Sequence, residues 1–154
     1  MQAIFNEILK ADALLVASPV YVMSATPQLH AFCSRMRPAM HVFPTVFRNK
    51  FVAAIALGGT RNGGQELTVN DILNLFMTRG MNAVSNEVGG YAGAKVWTRD
   101  GGADGALEDV TGVNSAEKLA SKLAEVALTY RLGLFARDMD LPALPPLPES
   151  GIMK

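Results

Sequence analysis

Residues 13–29 read ALLVASPVYVMSATPQL, and this stretch decides the fold. The run from Ala13 to Ala17 is wholly apolar and lacks polar alternation, so it predicts a strand buried on both faces of a helix-covered parallel sheet. Ser18-Pro19 ends that strand, and Thr26-Pro27 starts a helix, with threonine as N-cap and proline at the first helical position. Ligands of such sheets bind beyond the carboxyl ends of the strands, where residues 18–25 are expected to lie.

A second apolar strand is predicted over residues 51–57, and a glycine-rich loop follows it. The loop covers residues 58–66 and reads GGTRNGGQE. Four glycines before a helix exceed the needs of a turn, which favours a ligand-binding loop, with a plain connection as the competing interpretation. The helix after the loop is predicted to end at Gly80, which accepts the left-handed conformation.

The remaining elements complete an alternation of helices and strands. Apolar spacing predicts a helix over residues 2–10, and a short third strand is predicted near Ala83-Val84. Residues 97–111 are predicted to be a surface loop, and Ser115 is predicted to cap a long final helix. We therefore predict an α/β domain over residues 1–137 with three strands in a parallel sheet, followed by an extended proline-rich arm over residues 138–154.

The composition excludes several classes of protein. Fourteen basic and fourteen acidic residues cancel, so neither a nucleic-acid nor a membrane partner is expected. The single cysteine, Cys33, is expected to be an inert core thiol, and alone it forms neither an internal disulfide nor a thiolate metal cluster. Apolar runs stay far below the ~20 residues of a membrane span, and Glu7 and Lys10 argue against a signal peptide, so a soluble cytoplasmic protein is expected.

A set of motifs along the chain resembles one family. They are Ser18-Pro19-Val20-Tyr21, Gln28-Leu29 with Phe32, the loop at 58–66, Gly80-Met81, Gly90-Tyr91, Glu108-Asp109, Gly112 and Ser115-Ala116. This continuous pattern resembles the flavodoxin-like NAD(P)H-dependent FMN reductases, and most of all their iron–sulfur flavoprotein branch.

The resemblance implies a three-layer α/β/α fold, with a five-stranded parallel sheet of order 2-1-3-4-5 and FMN at the switch point. Aligned in this way, the sequence starts within the second helix of the family pattern. The first strand, the phosphate loop, the first helix and the second strand have no counterpart among its residues. The cysteine cluster of the family falls in the same part, and Cys33 does not match it, so no iron–sulfur cluster is expected in this chain. The family also implies a homodimer or homotetramer.

The resemblance places the flavin ring against two loops. The predicted cofactor-binding residues are Ser18, Pro19, Val20, Tyr21, Val22 and Ser24 in the first loop, and Gly58, Gly59, Thr60, Arg61, Gly63, Gly64 and Gln65 in the second. Backbone N–H groups of the first loop are expected to face the flavin pyrimidine edge, with Tyr21 against the isoalloxazine face. Glycines let the second loop approach the ring. Arg61 is expected to offset the charge of reduced flavin or to bind a phosphate of the nicotinamide nucleotide.

The implied function is an FMN-dependent oxidoreductase that passes hydride from NAD(P)H to the flavin and on to an unknown acceptor. Because the flavin takes the hydride directly, no catalytic acid or base is expected. No Ser/His/Asp constellation is expected either, and His30 and His41 are expected to lack an acidic partner for a metal site.

Two other functions stay open at this point. One is a non-catalytic flavodoxin-like binding module that lost its phosphate site, with residues 141–148 as a ligand for an aromatic groove. The other is an α/β hydrolase or transferase fragment, which ranks last because the sequence contains no nucleophile elbow. The flavin assignment depends on one geometric condition, that the strand ends at Ser18 and Gly58 converge on a single ring.

Overall fold

The computed structural model describes residues 2–137, which form six helices and four strands. Their order is α1 Gln2–Lys10, β1 Ala13–Pro19, α2 Pro27–Arg35, α3 Arg37–Val42, β2 Phe51–Gly58, α4 Gln65–Met77, β3 Asn82–Ala83, β4 Ala94–Trp97, α5 Gly102–Glu108 and α6 Val110–Arg137. The predicted start of α2 is confirmed, because the Thr26 side chain accepts a hydrogen bond from the Leu29 amide and Pro27 occupies the first turn.

All strand pairs of the sheet are parallel. In the pair of β1 and β2, Ala13 lies opposite Phe51 and Pro19 lies opposite Leu57, so both strands end at the same edge. β3 and β4 pair with the other side of β2, β3 near its start and β4 along residues 55–58. The sheet thus has three strand positions as predicted, but the third is split into two pieces, and the sequence prediction missed β4.

Helices cover both faces of the sheet, which confirms the predicted three-layer arrangement. Helices α1, α2 and α4 pack on the face that carries Val52 and Ala54. Helix α6 packs on the opposite face, which carries Phe51 and Ala53. Neighbouring residues of β2 point to opposite faces of the sheet, and nearly all of them are buried. Both faces of this strand are therefore covered, which agrees with the lack of polar alternation in its sequence.

Strand β1 departs from the prediction of burial on both faces. Within residues 2–137 it pairs only with β2, and Leu15, Ala17 and Pro19 are exposed, Leu15 by 43%. The physical reason is that the apolar cluster under α6 reaches β1 only at Ala13, at the start of the strand. The unpaired edge of β1 is a template for pairing with another strand.

We expect the 154-residue chain to self-associate through this edge, and Leu15→Lys to reduce that association. A lysine on an edge strand opposes strand-to-strand contact by charge and removes exposed apolar surface. Sedimentation velocity measures the effect, and Leu107→Lys, which alters an exposed leucine on α5, is the control. An unchanged association state in Leu15→Lys would show that the β1 edge is not the contact.

Two predictions for the C-terminal third are wrong. Residues 97–111 are not one surface loop, because they contain α5, and α6 begins at Val110 rather than after Ser115. Asp109 explains the early start, since its carboxylate accepts the amide N–H groups of Gly112 at 3.1 Å and Trp97 at 2.8 Å. One side chain thus caps α6 and attaches its first turn to β4.

The proline-rich arm predicted for residues 138–154 lies outside the described residues. Over residues 2–137, no helix combines the length and the apolar character that crossing a membrane requires.

Candidate functional site

The loops after β1 and β2 lie side by side at the carboxyl edge of the sheet. The register places Ser18 opposite Ala56, so the two strand ends are neighbours. The loops also touch, because a Cβ built on Gly64 falls 2.9 Å from the Met23 Cα. The convergence of the two strand ends, on which the flavin assignment depends, is therefore present in the fold.

The first loop ends in a tight turn of unusual backbone conformation. Reciprocal backbone hydrogen bonds of 2.9 and 3.0 Å join Tyr21 and Ser24, and the two residues between them have positive φ, 53° at Val22 and 62° at Met23. A β-branched residue at positive φ is a strained outlier, and such strain persists where the surroundings over-determine the conformation. Tyr21 is 54% exposed, Val22 is fully exposed, and the amides of Val22 and Met23 have no hydrogen-bond partner within residues 2–137.

Ser18 turns its side chain into its own loop. The hydroxyl donates to the Pro19 carbonyl at 2.9 Å and accepts the Thr26 amide at 3.1 Å, and the residue is buried. It therefore joins the end of β1 to the start of α2. Among the predicted site residues, Ser18 shapes the loop and does not present its hydroxyl to the loop surface.

The second loop is closed by Gln65. This buried side chain accepts the Gly63 amide at 2.8 Å and donates to the Thr60 carbonyl at 2.6 Å. Gly58 makes the space for it, since a Cβ there would lie 2.3 Å from the Gln65 amide nitrogen. The loop is a compact structure at the N-terminus of α4, where the first helical amides are free to donate and the helix dipole is positive.

Arg61 is held beside this loop by Trp97. Its guanidinium carbon lies 4.7 Å from the centre of the Trp97 ring, and Arg99 lies at the same distance. The indole N–H donates to the Gly59 carbonyl at 2.8 Å, which fixes the ring against the second loop. Sequence reasoning missed Trp97, because only the pairing of β4 with β2 brings it opposite Gly58.

A cleft of about 590 Å³ extends from this loop to the first turns of α6. Its lining includes Arg61, Asn86, Lys95, Ser115 and Lys118. Asn86 crosses its floor, donating to the Ser115 hydroxyl at 2.9 Å and to the Ser115 carbonyl at 3.0 Å. Its volume lies in the range of small-molecule sites, and the predictions from sequence did not include it.

His30 has an acidic partner that its spacing along the sequence does not reveal. The structure brings together Ser24, His30 and Asp71 from three separate segments of the chain. Burial alone raises the pKa of Asp71, but hydrogen bonds from the Ser24 hydroxyl, the Ala25 amide and His30, with the His30 charge, outweigh it and hold this pKa below its ordinary value. Residue spacing carried no signal for this cluster, because Asp71 is 41 positions from His30.

We expect the ionisation of Asp71 to make the free energy of unfolding depend on pH in the acidic range. Because its folded-state pKa lies below the unfolded value, the stabilisation is fully present above the unfolded value and is lost as pH falls through the folded one. The difference in the free energy of unfolding between the native chain and Asp71→Asn should therefore be constant at neutral pH and shrink progressively as pH falls below about 5. Urea unfolding at each pH measures it, and a difference that stays constant would contradict the assignment.

Solved structures resemble this fold. The Trp repressor binding protein from Bacillus subtilis aligns with a TM-score of 0.60 and 22% identity, over 77% of this chain and 74% of that one. The flavodoxin, WrbA-like protein from Agrobacterium tumefaciens aligns with a TM-score of 0.56 and 16% identity, over 79% and 74%. At these identities the likeness establishes the fold alone, and the fold is flavodoxin-like α/β.

Comparison of the sequence with known proteins identifies the family of the chain. The profile of the family described as NADPH-dependent FMN reductase matches residues 1–93, and the chain belongs to that family. It is 33% identical to an iron–sulfur flavoprotein of Methanocaldococcus jannaschii over 127 residues, which is 82% of this chain and 64% of that protein. It is 37% identical to an iron–sulfur flavoprotein of Archaeoglobus fulgidus over 122 residues, 78% and 62% respectively. The chain thus spans less than two thirds of the length of these relatives.

Proposed function

We propose that the chain forms the ring-binding part of an FMN-dependent NAD(P)H oxidoreductase, which passes hydride from the nicotinamide nucleotide to the flavin and on to an acceptor. The observation that carries this proposal is the contact of the loops at 18–24 and 58–65 across Met23 and Gly64. It joins two loops into one surface at the carboxyl edge of a parallel sheet, where ligands of this class of fold bind.

The residues of this surface fit a flavin. The free amides of Val22 and Met23 are donors of the kind that the flavin carbonyl groups need, and the first amides of α4 add more donors beside them. Tyr21 offers an exposed aromatic face for offset stacking on the ring. Because the second loop is rich in glycine, its backbone comes close to a flat ligand without side chains between them.

Arg61 has a role in charge compensation in this proposal. Its guanidinium is exposed but held on Trp97, so it stays near the second loop at a small cost in side-chain entropy. There it offsets the negative charge of reduced flavin or contacts a phosphate of the nicotinamide nucleotide. Bound FMN would supply the redox chemistry itself, so the chain binds and orients the reactants.

The proposal includes a cytoplasmic homodimer or homotetramer, and no iron–sulfur cluster on the thiolates of this chain. Cys33 is the one cysteine of the sequence, it is buried, and desolvation raises the pKa of its thiol, so the thiolate that a cluster needs is disfavoured. No set of three or more His, Cys, Asp or Glu side chains within residues 2–137 is arranged to hold a metal ion.

The test is anaerobic addition of NADPH or NADH to the chain with FMN, followed by the visible absorbance of the flavin. Loss of the oxidised-flavin band at a rate above that of free FMN supports the oxidoreductase. Binding without accelerated loss of the band favours a non-catalytic flavin-binding module instead.

We expect Tyr21→Ala to weaken flavin binding about 5-fold, because an offset aromatic stack contributes ~1 kcal/mol beyond area burial. Tyr91→Ala, which removes another exposed tyrosine outside the two loops, is the matched control. Isothermal titration measures both affinities. Equal affinities in the native chain and Tyr21→Ala would remove Tyr21 from the ring site.

A further inference from the structure

One carboxylate oxygen holds the end of the first loop. Asp71 Oδ2 accepts the Ser24 hydroxyl at 2.6 Å and the Ala25 amide at 2.9 Å, and His30 Nε2 lies 2.9 Å from the same oxygen. Because an ionised carboxylate only accepts hydrogen bonds, the His30 ring is the third donor. Three donors from the loop and from α2 thus converge on one atom of α4.

The geometry excludes a nucleophilic triad. In a triad the histidine ring stands between the hydroxyl and the carboxylate and takes the hydroxyl proton. Here the Ser24 hydroxyl donates to Asp71, and it lies 3.4 Å from His30 Nε2, the nitrogen that already faces the carboxylate. The hydroxyl is therefore turned away from the role of a nucleophile, and the cluster acts as a clamp.

The clamp binds the chain directly after the strained turn. Val22 and Met23 hold positive φ angles that an isolated chain disfavours, and the residue directly after them, Ser24, is fixed to Asp71. Asp71 belongs to α4, whose N-terminus carries the second loop. The contact of Gly64 with Met23 and the bonds of Asp71 to Ser24 and Ala25 therefore fix the two loops relative to each other at two separate places.

We propose that Asp71, supported by His30, is the positioning residue of the flavin site: it holds the turn at residues 21–24 in the conformation that presents Tyr21 and the free amides to the ring. This proposal rests on the proposed function, because it assigns the turn to flavin. Asp71 acts through Ser24 and Ala25 and need not touch the ligand itself.

The experiment compares the full chain with Asp71→Asn, a nearly isosteric change that removes the charge. Flavin affinity is measured by titration, and the fluorescence lifetime of the bound flavin is measured separately, since it reports whether Tyr21 still quenches the ring. We expect Asp71→Asn to bind about 5- to 10-fold more weakly, because hydrogen bonds to a charged acceptor are about twice as strong as neutral ones. The bound flavin should also have a longer lifetime. A loss of stability alone lowers the bound fraction and leaves that lifetime unchanged.

A second variant, Ser24→Ala, keeps the test decisive if Asp71→Asn folds poorly. Ser24→Ala removes one bond of the clamp without touching α4, and we expect about 3-fold weaker binding and a lengthened lifetime. The combination of both changes should weaken binding by less than the product of the single effects, because they disrupt one interaction. Glu125→Gln removes an exposed carboxylate from α6, outside both loops, and is expected to behave as the native chain.

The outcomes separate the two proposals. If the native chain binds no flavin, the proposed function fails and this assignment fails with it. If the native chain and Glu125→Gln bind flavin, and Asp71→Asn and Ser24→Ala bind with unchanged affinity and lifetime, the clamp assignment alone is overturned.

Discussion

Substitution of Gly64 by alanine is expected to lower the free energy of unfolding by about 2–4 kcal/mol and to weaken flavin binding at least about 10-fold. Gly64 has a φ of 100°, which costs any residue with a Cβ, and the new methyl group would lie 2.9 Å from the Met23 Cα. Because the obstacle is backbone, no side-chain rotation relieves it. The turn that carries Tyr21 must move away from the second loop. Chemical denaturation and flavin titration measure the two effects.

Gly80 provides a matched control for this change. It also has a positive φ, 86°, but a Cβ added there meets nothing within 4 Å. Gly80→Ala should therefore show only the conformational penalty of about 1–2 kcal/mol and leave flavin affinity unchanged. Equal effects of the two substitutions on flavin binding would mean that the contact between the loops does not form the site.

The second large effect concerns the FMN phosphate. We expect the 154-residue chain to bind FMN and riboflavin with affinities within about 3-fold of each other, because the resemblance gives the phosphate loop no counterpart in this sequence. A flavin site with a phosphate loop gains about 1.5–3 kcal/mol for each hydrogen bond to that charged group. Two such bonds correspond to roughly 10²- to 10⁴-fold in affinity, so the chain should bind FMN weakly.

Parallel titrations with the two flavins decide this prediction, since they differ only in the phosphate. Preference for FMN by a factor above about 30 would show that residues of this chain hold the phosphate. The N-terminus of α4 would then be the first place to look, because its free amides and positive dipole suit an anion.

Strands β1 and β2 and both loops could be predicted because their signals are local. β1 and β2 are apolar runs that end at Ser18-Pro19 and at Gly58-Gly59, and a buried strand followed by such residues has few alternative conformations. Thr26-Pro27 is equally local, and the observed cap confirms it. Elements whose own residues have strong local conformational preferences could therefore be predicted correctly.

The parts that were missed depend on contacts distant in sequence. β4 has four residues and is a strand because β2 lies beside it, and the start of α6 depends on Asp109 reaching back to the Trp97 amide. The Asp71 clamp joins α4 to residues more than 40 positions earlier in the chain. Periodicity and turn chemistry carry no information about such pairs.

The prediction that β1 is buried on both faces is wrong for a different reason. Its sequence has the apolar character of an interior strand, and the inference of burial on both faces followed from that character alone. In the described residues, Leu15, Ala17 and Pro19 are exposed, so one face of β1 is incompletely covered. Composition thus identified the type of strand correctly, but it carried no information on which neighbours cover it.

The most direct test of the proposed flavin site is the position at which flavin binds the folded chain. Amide chemical shifts of the ¹⁵N-labelled chain, recorded during titration with FMN, locate bound ligand even when binding is weak. We expect the largest shifts to fall on Val22 and Met23 in the first loop and on residues 59–64 in the second. Shifts confined to the cleft at Asn86 and Lys118, or no shifts at all, would contradict the proposed flavin site.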